Sequence, residues 1–154
     1  IVAHRLGIVL ANAGIDASNL DPDTEGELVL LLPVDPDASA HHLKERLDEH
    51  FAVNLGVIIS DSVGRAWRNG TVGIALGAAG LPSLKDFIGR TDLRGRALQV
   101  TQTGFADELA SAASLLMGQA DEQLPAVIIS GLAWDAPNAN ARSLIRPKKE
   151  DLFR

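Results

Sequence analysis

The chain contains no cysteine among its 154 residues. That absence excludes disulfide bonds, thiolate zinc sites and a cysteine nucleophile, and it is compatible with a reducing compartment. No apolar run approaches the length of a membrane span, and residues 1–7 lack the basic start, apolar block and cleavage site of a secretory signal. We therefore expect a cytoplasmic protein with no membrane partner.

Positive charge is also scarce, because 14 Lys and Arg stand against 20 Asp and Glu and give a net charge of -6. A general nucleic-acid binder carries a basic surface, so we expect no nucleic-acid partner, and a polyanionic ligand would need a local basic pocket. The length and the 46% hydrophobic content suit one globular domain over residues 1–154. Since the sequence opens on Ile1 inside an apparent strand, we also expect that it is a fragment of a longer chain.

Four apolar runs bounded by turn residues predict strands. A shorter run near the start ends where Gly14 permits a sharp change of direction. The predicted strands cover residues 7–11, 28–32, 53–59, 97–100 and 126–129.

Two amphipathic helices are predicted between these strands. In the first, Asp37 is placed to cap a helix that reaches Phe51, with apolar residues at every fourth position. The second runs from Phe105 to about Gly118, which supplies its end. Alternating strands and helices favour an α/β or α+β class, with mixed sheet layers packed against helices.

Residues 11–19 (ANAGIDASN) place Asp16, Ser18 and Asn19 just after a glycine turn. Carboxylate and amide oxygens of this kind suit a hard cation such as Mg²⁺ or Mn²⁺. The same letters are also typical of an Asx turn or a helix cap, and the local sequence leaves both interpretations open.

Residues 59–70 (ISDSVGRAWRNG) place Asp61 directly after an apolar run that is predicted to be a buried strand. The carboxyl ends of strands in open α/β sheets are common ligand sites. A buried carboxylate must be paired, hydrogen-bonded or bound to a metal. The sequence therefore allows either a salt-bridged turn with Arg65 or Arg68, or a site for a metal and a phosphorylated ligand.

Two further segments carry weaker signals. Residues 70–80 hold four glycines but lack the Lys-Ser/Thr ending of a P-loop and the dinucleotide spacing, so they favour close backbone packing or a subunit contact that continues into Leu81 and Pro82. Residues 116–124 (LMGQADEQL) offer oxygens to a cation or a nucleobase, but polar loops after helices are common.

Taken together, five stretches in this order resemble the coenzyme F420:L-glutamate ligases, also called the CofE family. The resemblance covers nearly the whole chain, which makes it specific. The stretches are residues 11–19 (ANAGIDASN), 58–70 (IISDSVGRAWRNG), 107–110 (DELA), 115–122 (LLMGQADE) and 150–154 (EDLFR).

This resemblance implies a CofE-like fold and a GTP-dependent amide ligase that adds L-glutamate to F420-0 and extends a γ-linked glutamate tail. It also implies that GTP phosphorylates the acceptor carboxylate and that the amine of glutamate then displaces phosphate. Two divalent cations, Mg²⁺ or Mn²⁺, and also K⁺, are the implied cofactors, and a homodimer is the implied assembly. The alternative from a different class is a non-catalytic module that binds a deazaflavin or a nucleotide and dimerises.

By motif, the resemblance implies that Asp16 and Asp61 are ligands of one divalent cation. Ser62, where the family usually has Thr, and Gln119 are implied for a second cation. Arg65 and Arg68 are our own inference as catalytic clamps on phosphate or substrate, because a guanidinium grips phosphate oxygens with two hydrogen bonds. The implied nucleotide contacts are Asn19, Met117, Gly118, Gln119, Ala120, Asp121, Glu122, Gln123 and Leu124.

Two departures from the family pattern bear on these roles. Ala66 stands where the motif usually has Pro, which loosens the expected turn. Family members also carry a portion ahead of residues 11–14 that supplies further nucleotide contacts, so the expected fragment would hold an incomplete GTP site.

Overall fold

A computed structural model describes residues 1–20 and 28–151. In this part of the chain, two α-helices and three antiparallel two-stranded sheets are joined by turns. None of the helices in these residues is long and apolar enough to cross a membrane. The strands are β1 (Val2–Ala3), β2 (Val9–Leu10), β3 (Val57–Arg65), β4 (Arg68–Ala79), β5 (Lys85–Asp86) and β6 (Gln102–Thr103), and the helices are α1 (Pro36–Phe51) and α2 (Phe105–Met117).

The centre of the fold is the long antiparallel hairpin β3–β4. Pairing runs from Val57 opposite Ala79 to Arg65 opposite Arg68, so Ala66 and Trp67 form a two-residue turn at its end. The register shifts between Ile59 and Ser60, whose partners are Gly77 and Ala75, and this leaves Leu76 as an extra residue in β4. Such a bulge changes which side chains of β4 face each side of the hairpin.

The two helices pack on opposite faces of this hairpin. Ile58 joins a core cluster with Phe105 and Ala106 of α2, whereas its neighbour Ile59 packs with Ala40 of α1. Successive side chains in a strand point to opposite faces, so the two clusters lie on either side of the sheet. With the bulge at Leu76, β4 contributes side chains to the core clusters on both faces of the hairpin.

The helices also run in opposite directions along the hairpin. Helix α1 begins against Gly77 and continues past Ala79 towards Gly80, where the Lys44 side chain lies close, so it runs away from the turn. Helix α2 begins near Ser83, whose carbonyl accepts from the Ala106 N–H, and continues towards Gly73, so it runs towards the turn. The half of the hairpin nearer the turn is therefore covered by α2 on one face. Helix α1 does not cover the other face of this half.

Glycines in β4 allow this close helix packing. A Cβ on Gly73 would lie 2.5 Å from the carbonyl oxygen of Ala110, and one on Gly77 would lie 2.0 Å from that of Pro36. The prediction of close backbone packing in residues 70–80 is confirmed. The proposed subunit contact through Leu81 and Pro82 is wrong, because both side chains are fully buried within this chain.

We predict that Gly77→Ala destabilises the protein by about 3 kcal/mol, the upper part of the range for overpacking, because α1 must move away from β4. Urea unfolding measures the change. Gly64→Ala is the matched control, since a Cβ there meets nothing within 4 Å. We expect it to change stability by less than about 0.5 kcal/mol. Equal stability of the two variants would contradict the close approach of α1.

Three aspartates accept hydrogen bonds near the starts of the two helices. The predicted cap, Asp37, is wrong: Asp35 is the N-cap, and its Oδ1 accepts from the Ala38 N–H at 2.9 Å. Asp37 instead accepts from the N–H groups of Ala78 at 2.9 Å and Ala141 at 2.8 Å. Asp107 of α2 accepts from the Ala75 N–H at 2.9 Å, and burial raises the pKa of its carboxyl. Both helices are thus hydrogen-bonded directly to β4.

The α+β class is confirmed, whereas most strand boundaries are corrected. The predicted strand at residues 53–59 begins only at Val57 and continues to Arg65. The run at 28–32 forms one bridge, Leu30 with Asp16, and the run at 97–100 also forms one bridge. Residues 126–129 form no strand. A strand needs a hydrogen-bonding neighbour, and an apolar run does not show whether one is present.

Candidate functional site

Asp61 and Ser62 are adjacent in the middle of β3, opposite Ile74 and Gly73. The prediction that a buried strand ends before Asp61 is wrong, because β3 continues for four more residues. By strand alternation, Asp61 lies on the α1 face with Ile59, and Ser62 lies on the α2 face. The two candidate ligands therefore lie on different sides of the hairpin.

Asp61 lies on the part of its face that α1 does not cover. Helix α1 starts opposite Gly77, the partner of Ile59, and Asp61 is two residues closer to the turn, about 7 Å along the strand. Its carboxylate is half-buried, and Oδ1 accepts from the Ser62 N–H at 2.7 Å. The fold thus presents Asp61 in front of the first turn of α1.

The described residues do not show the alternative in which Asp61 forms a salt bridge. None of their ion pairs joins Asp61 to Arg65 or Arg68. Arg65 is four residues further along β3, a separation of about 13 Å in a strand, which explains why the two side chains do not pair. Arg65 instead donates from Nη2 to the carbonyl oxygen of Asn69 at 3.0 Å.

Ser62 lies on the same face as the loop that follows α2. Its partner Gly73 packs under Ala110, and the carbonyl of Gly73 accepts from the Ser111 hydroxyl at 2.7 Å. From Ala110 the helix continues for about 10 Å to Met117, a length that matches about three strand residues towards the turn. The fold therefore brings Ser62 and the 117–124 loop to one side of the hairpin.

The 117–124 loop is held by its own hydrogen bonds. Gln119 donates from Nε2 to the carbonyl of Gly118 at 2.9 Å, a bond that does not use its side-chain oxygen. Glu122 accepts from the Ala120 N–H at 2.9 Å, and this bond, the largest cause, lowers the pKa of the Glu122 carboxyl. Gln119 through Leu124 are exposed, so oxygens of this loop are accessible to a ligand.

Asp16 forms the Asx turn that was one of its two interpretations. Its Oδ1 accepts from the hydroxyl of Ser18 at 2.6 Å and from the Ser18 N–H at 2.8 Å. These bonds, the hydroxyl first, lower the pKa of the Asp16 carboxyl, so the group is ionised at neutral pH. Oδ1 accepts both hydrogen bonds. The other carboxylate oxygen takes part in neither, so it can bind a cation.

The backbone around Asp16 is unusual. Asn12, Ala13 and Asn19 have φ values of 52°, 55° and 55°, in the left-handed region that residues with a Cβ seldom adopt. Such conformations are concentrated at sites where the fold holds a functional geometry. Asn19 is exposed in this turn, and its role as a nucleotide contact stays a prediction.

No hydrogen bond or ion pair joins Asp16 to Asp61 in the described residues, and these residues hold no group of three or more His, Cys, Asp or Glu arranged around a metal. A fully protein-built cation cage is therefore absent from the described part of the chain. The available donors are hard oxygens, which fit Mg²⁺ or Mn²⁺, since such ions often use one or two carboxylates together with waters and substrate phosphates. The donor chemistry of Asp16, Asp61, Ser62 and Gln119 is compatible with that mode of binding.

The fold and these side chains define an α+β domain that displays oxygen donors and arginines around a central hairpin. The family model described as F420-0:Gamma-glutamyl ligase matches residues 1–131. The chain belongs to this family.

Curated relatives extend the match to the whole chain. It is 49% identical over 159 residues to the coenzyme F420:L-glutamate ligase of Methanopyrus kandleri, covering 100% of this chain and 61% of that protein. The protein of the same name from Methanothermobacter thermautotrophicus is 49% identical, covering 97% of this chain and 59% of the relative. The corresponding protein of Methanocaldococcus jannaschii is 47% identical, covering 100% and 60%. The chain spans about three fifths of the length of these relatives.

Proposed function

We propose that the protein carrying this chain is a GTP-dependent amide ligase that adds L-glutamate to coenzyme F420-0 and extends a γ-linked glutamate tail. The observation that carries the proposal is the match to F420:L-glutamate ligases along the whole chain at nearly half identity. Exposed oxygen donors support it: those of the 117–124 loop lie on the same side of the hairpin as Ser62, and the Asp61 carboxylate lies on the other side.

In the proposed reaction, the terminal carboxylate of the acceptor attacks the γ-phosphorus of GTP, and GDP leaves. The amine of glutamate then attacks the acyl phosphate, forming the amide and releasing phosphate. Bound divalent cations would neutralise charge on the transferring phosphoryl group and hold it in line with the carboxylate.

The proposed roles of the residues come from the family motifs, except those of Arg65 and Arg68, which are our own inference. Asp16 and Asp61 would hold one Mg²⁺ or Mn²⁺ through carboxylate oxygens, and Ser62 with Gln119 would hold a second cation through neutral oxygens. Asn19 and the 117–124 loop would bind the nucleotide. Arg65 and Arg68, at the end of the hairpin, would hold phosphate oxygens by paired hydrogen bonds. K⁺ is a further proposed cofactor.

We also propose a homodimer in the cytoplasm. Large apolar side chains are exposed in several segments, and a second subunit would cover part of this surface. The exposed fraction is 84% for Leu115, 62% for Leu116 and 94% for Ile128. Sedimentation of the full-length protein that carries this chain would measure the assembly.

A single assay tests the ligase proposal. Full-length protein incubated with F420-0, GTP, Mn²⁺ and L-glutamate should yield glutamylated F420 with stoichiometric GDP and phosphate, measured by mass spectrometry and phosphate release. EDTA should stop turnover, and added Mn²⁺ should restore it, because the phosphoryl transfer depends on the cations. Replacing GTP with ATP tests nucleotide choice. Absence of both GTP consumption and product would contradict the proposal and would favour a non-catalytic binding module.

A further inference from the structure

The turn end of the hairpin projects away from both helices. We define the hairpin tip as residues 64–70, all of which are exposed except Arg65. A Cβ placed on Gly64 or on Gly70 would meet nothing within 4 Å. There is therefore open space beside both glycines, and the pairing shifts register between Gly64 and Arg65, which leaves Asn69 and Gly70 as extra residues in β4.

Trp67 is the most prominent side chain of the tip. It is 83% exposed, and it has a φ of 58°, in the left-handed region. Turns that require this conformation normally use Gly, Asn or Asp, because a bulky residue adopts it only with strain. A strained, exposed indole at a fixed point of a hairpin indicates a role in binding, since strain of this kind is retained mainly at functional sites.

Arginines stand on both sides of Trp67 in the turn, at positions 65 and 68. Arg65 and Arg68 are paired across the turn. Arg65 is anchored through Nη2 to the Asn69 carbonyl, while its Nε is buried and has no acceptor in the described residues. Because this Nε is inaccessible, the donors that the arginines can offer to a phosphate oxygen are their terminal guanidinium N–H groups. The tip thus combines a flat aromatic surface with donors for a phosphate.

We propose that Trp67 stacks on the planar heteroaromatic ring of a phosphate-bearing substrate while Arg65 and Arg68 hold its phosphate. This inference rests on the proposed function, in which two substrates have this chemistry: the deazaflavin acceptor and the guanine nucleotide. Stacking on an indole tolerates any flat ring, so the same geometry suits either of them. Trp67 is a binding residue, and it takes no part in the phosphoryl transfer itself.

Steady-state kinetics of full-length protein test the stacking. Trp67→Ala should raise KM for one of the two substrates about tenfold, within the range for loss of one stacking contact, and should leave kcat within about threefold. Trp67→Phe should restore most of the affinity, because it keeps a flat ring. Leu93→Ala is the control, since Leu93 is another exposed apolar residue, outside the hairpin. The substrate whose KM rises identifies the stacked ring.

Direct binding separates this inference from the ligase proposal. The chain has two tryptophans, so Trp134→Phe leaves Trp67 as the single reporter within it, and Phe preserves the aromatic contact with Phe105. If the full-length protein has tryptophans outside this chain, they are replaced by Phe in the same variant. GTP or F420-0 should then quench the Trp67 fluorescence. Quenching without turnover would support the stacking while the ligase proposal fails. Unchanged KM values for both substrates in Trp67→Ala would overturn the stacking, whether or not that variant still forms a dimer.

Discussion

Asp61→Asn should lower the rate of glutamate addition by about two to three orders of magnitude, because a cation stabilises the transferring phosphoryl group by several kcal/mol and each 1.36 kcal/mol is tenfold in rate. The substitution removes one negative charge from the proposed cation site. It keeps an oxygen that can accept from the Ser62 N–H, which is the hydrogen bond seen for Asp61 in the structure. The fold should therefore stay intact while turnover falls.

Two further measurements make this expectation specific to the cation. Mn²⁺ affinity, followed by the electron paramagnetic resonance signal of free Mn²⁺, should fall together with the rate, and a higher Mn²⁺ concentration should restore part of the turnover. Asp135→Asn provides the matched control, because Asp135 is an exposed aspartate in another segment. Full turnover in Asp61→Asn, or a loss of activity that Mn²⁺ does not relieve together with an altered unfolding transition, would show that Asp61 is not a cation ligand.

The helices were predictable because their signals are local. The second prediction ran from Phe105 to about Gly118, and α2 spans Phe105–Met117. The buried face was not predictable. Leu116 belongs to the apolar face of the helical pattern and is 62% exposed, whereas Ala106 and Ala110 are 0% and 2% exposed. Close contact with Gly73 requires small residues, and this requirement depends on a distant part of the chain.

The hairpin was missed because its strands break the usual composition rules. Ser60, Asp61 and Ser62 are polar, and residues 70–80 hold four glycines, so the first segment seemed to end a strand and the second was predicted to pack closely without being assigned as a strand. Both are strands because each supplies the hydrogen-bonding partner of the other and because helices cover β4 on both faces. Pairing between two segments of weak propensity is a tertiary effect that a single sequence does not show.

The candidate site residues were proposed from family resemblance more than from local pattern, and their roles stay predictions. The sequence alone left Asp61 between a salt bridge and a cation site, and the structure shows no ion pair from Asp61 to Arg65 or Arg68. The opposite orientations of Asp61 and Ser62 follow from strand alternation, which was unknown while Asp61 seemed to follow the strand. Whether Asp16 and Asp61 share a cation stays a prediction, and the Asp61 variant with Mn²⁺ tests it.

Asp37→Ala should destabilise the protein by about 3–5 kcal/mol, because it leaves buried N–H groups without acceptors at about 1–3 kcal/mol each. The carboxylate accepts from Ala78 in β4, from Ala141 at 2.8 Å and from Arg142 at 3.3 Å, and so joins α1, β4 and the C-terminal segment. Ala78 and Ala141 are only 3% and 4% exposed, so water replaces the lost acceptor less readily than it does at an exposed donor. Urea unfolding of full-length protein, with the slope checked for constancy, measures the loss.

Comparison with Asp35→Ala shows which role contributes more to stability: capping α1, or joining α1 to β4 and the C-terminal segment. Asp35 caps α1 through one exposed hydrogen bond, and loss of such a cap costs about 1 kcal/mol. The loss of stability in Asp37→Asn should fall between the losses in Asp37→Ala and Asp35→Ala, because the Asn amide oxygen still accepts from one or two of the three N–H groups. If Asp35→Ala proved the more damaging, the helix cap would outweigh the bridge to β4 and Ala141. The order expected here follows from burial: a solvent-exposed donor regains a partner in water, and a buried one does not.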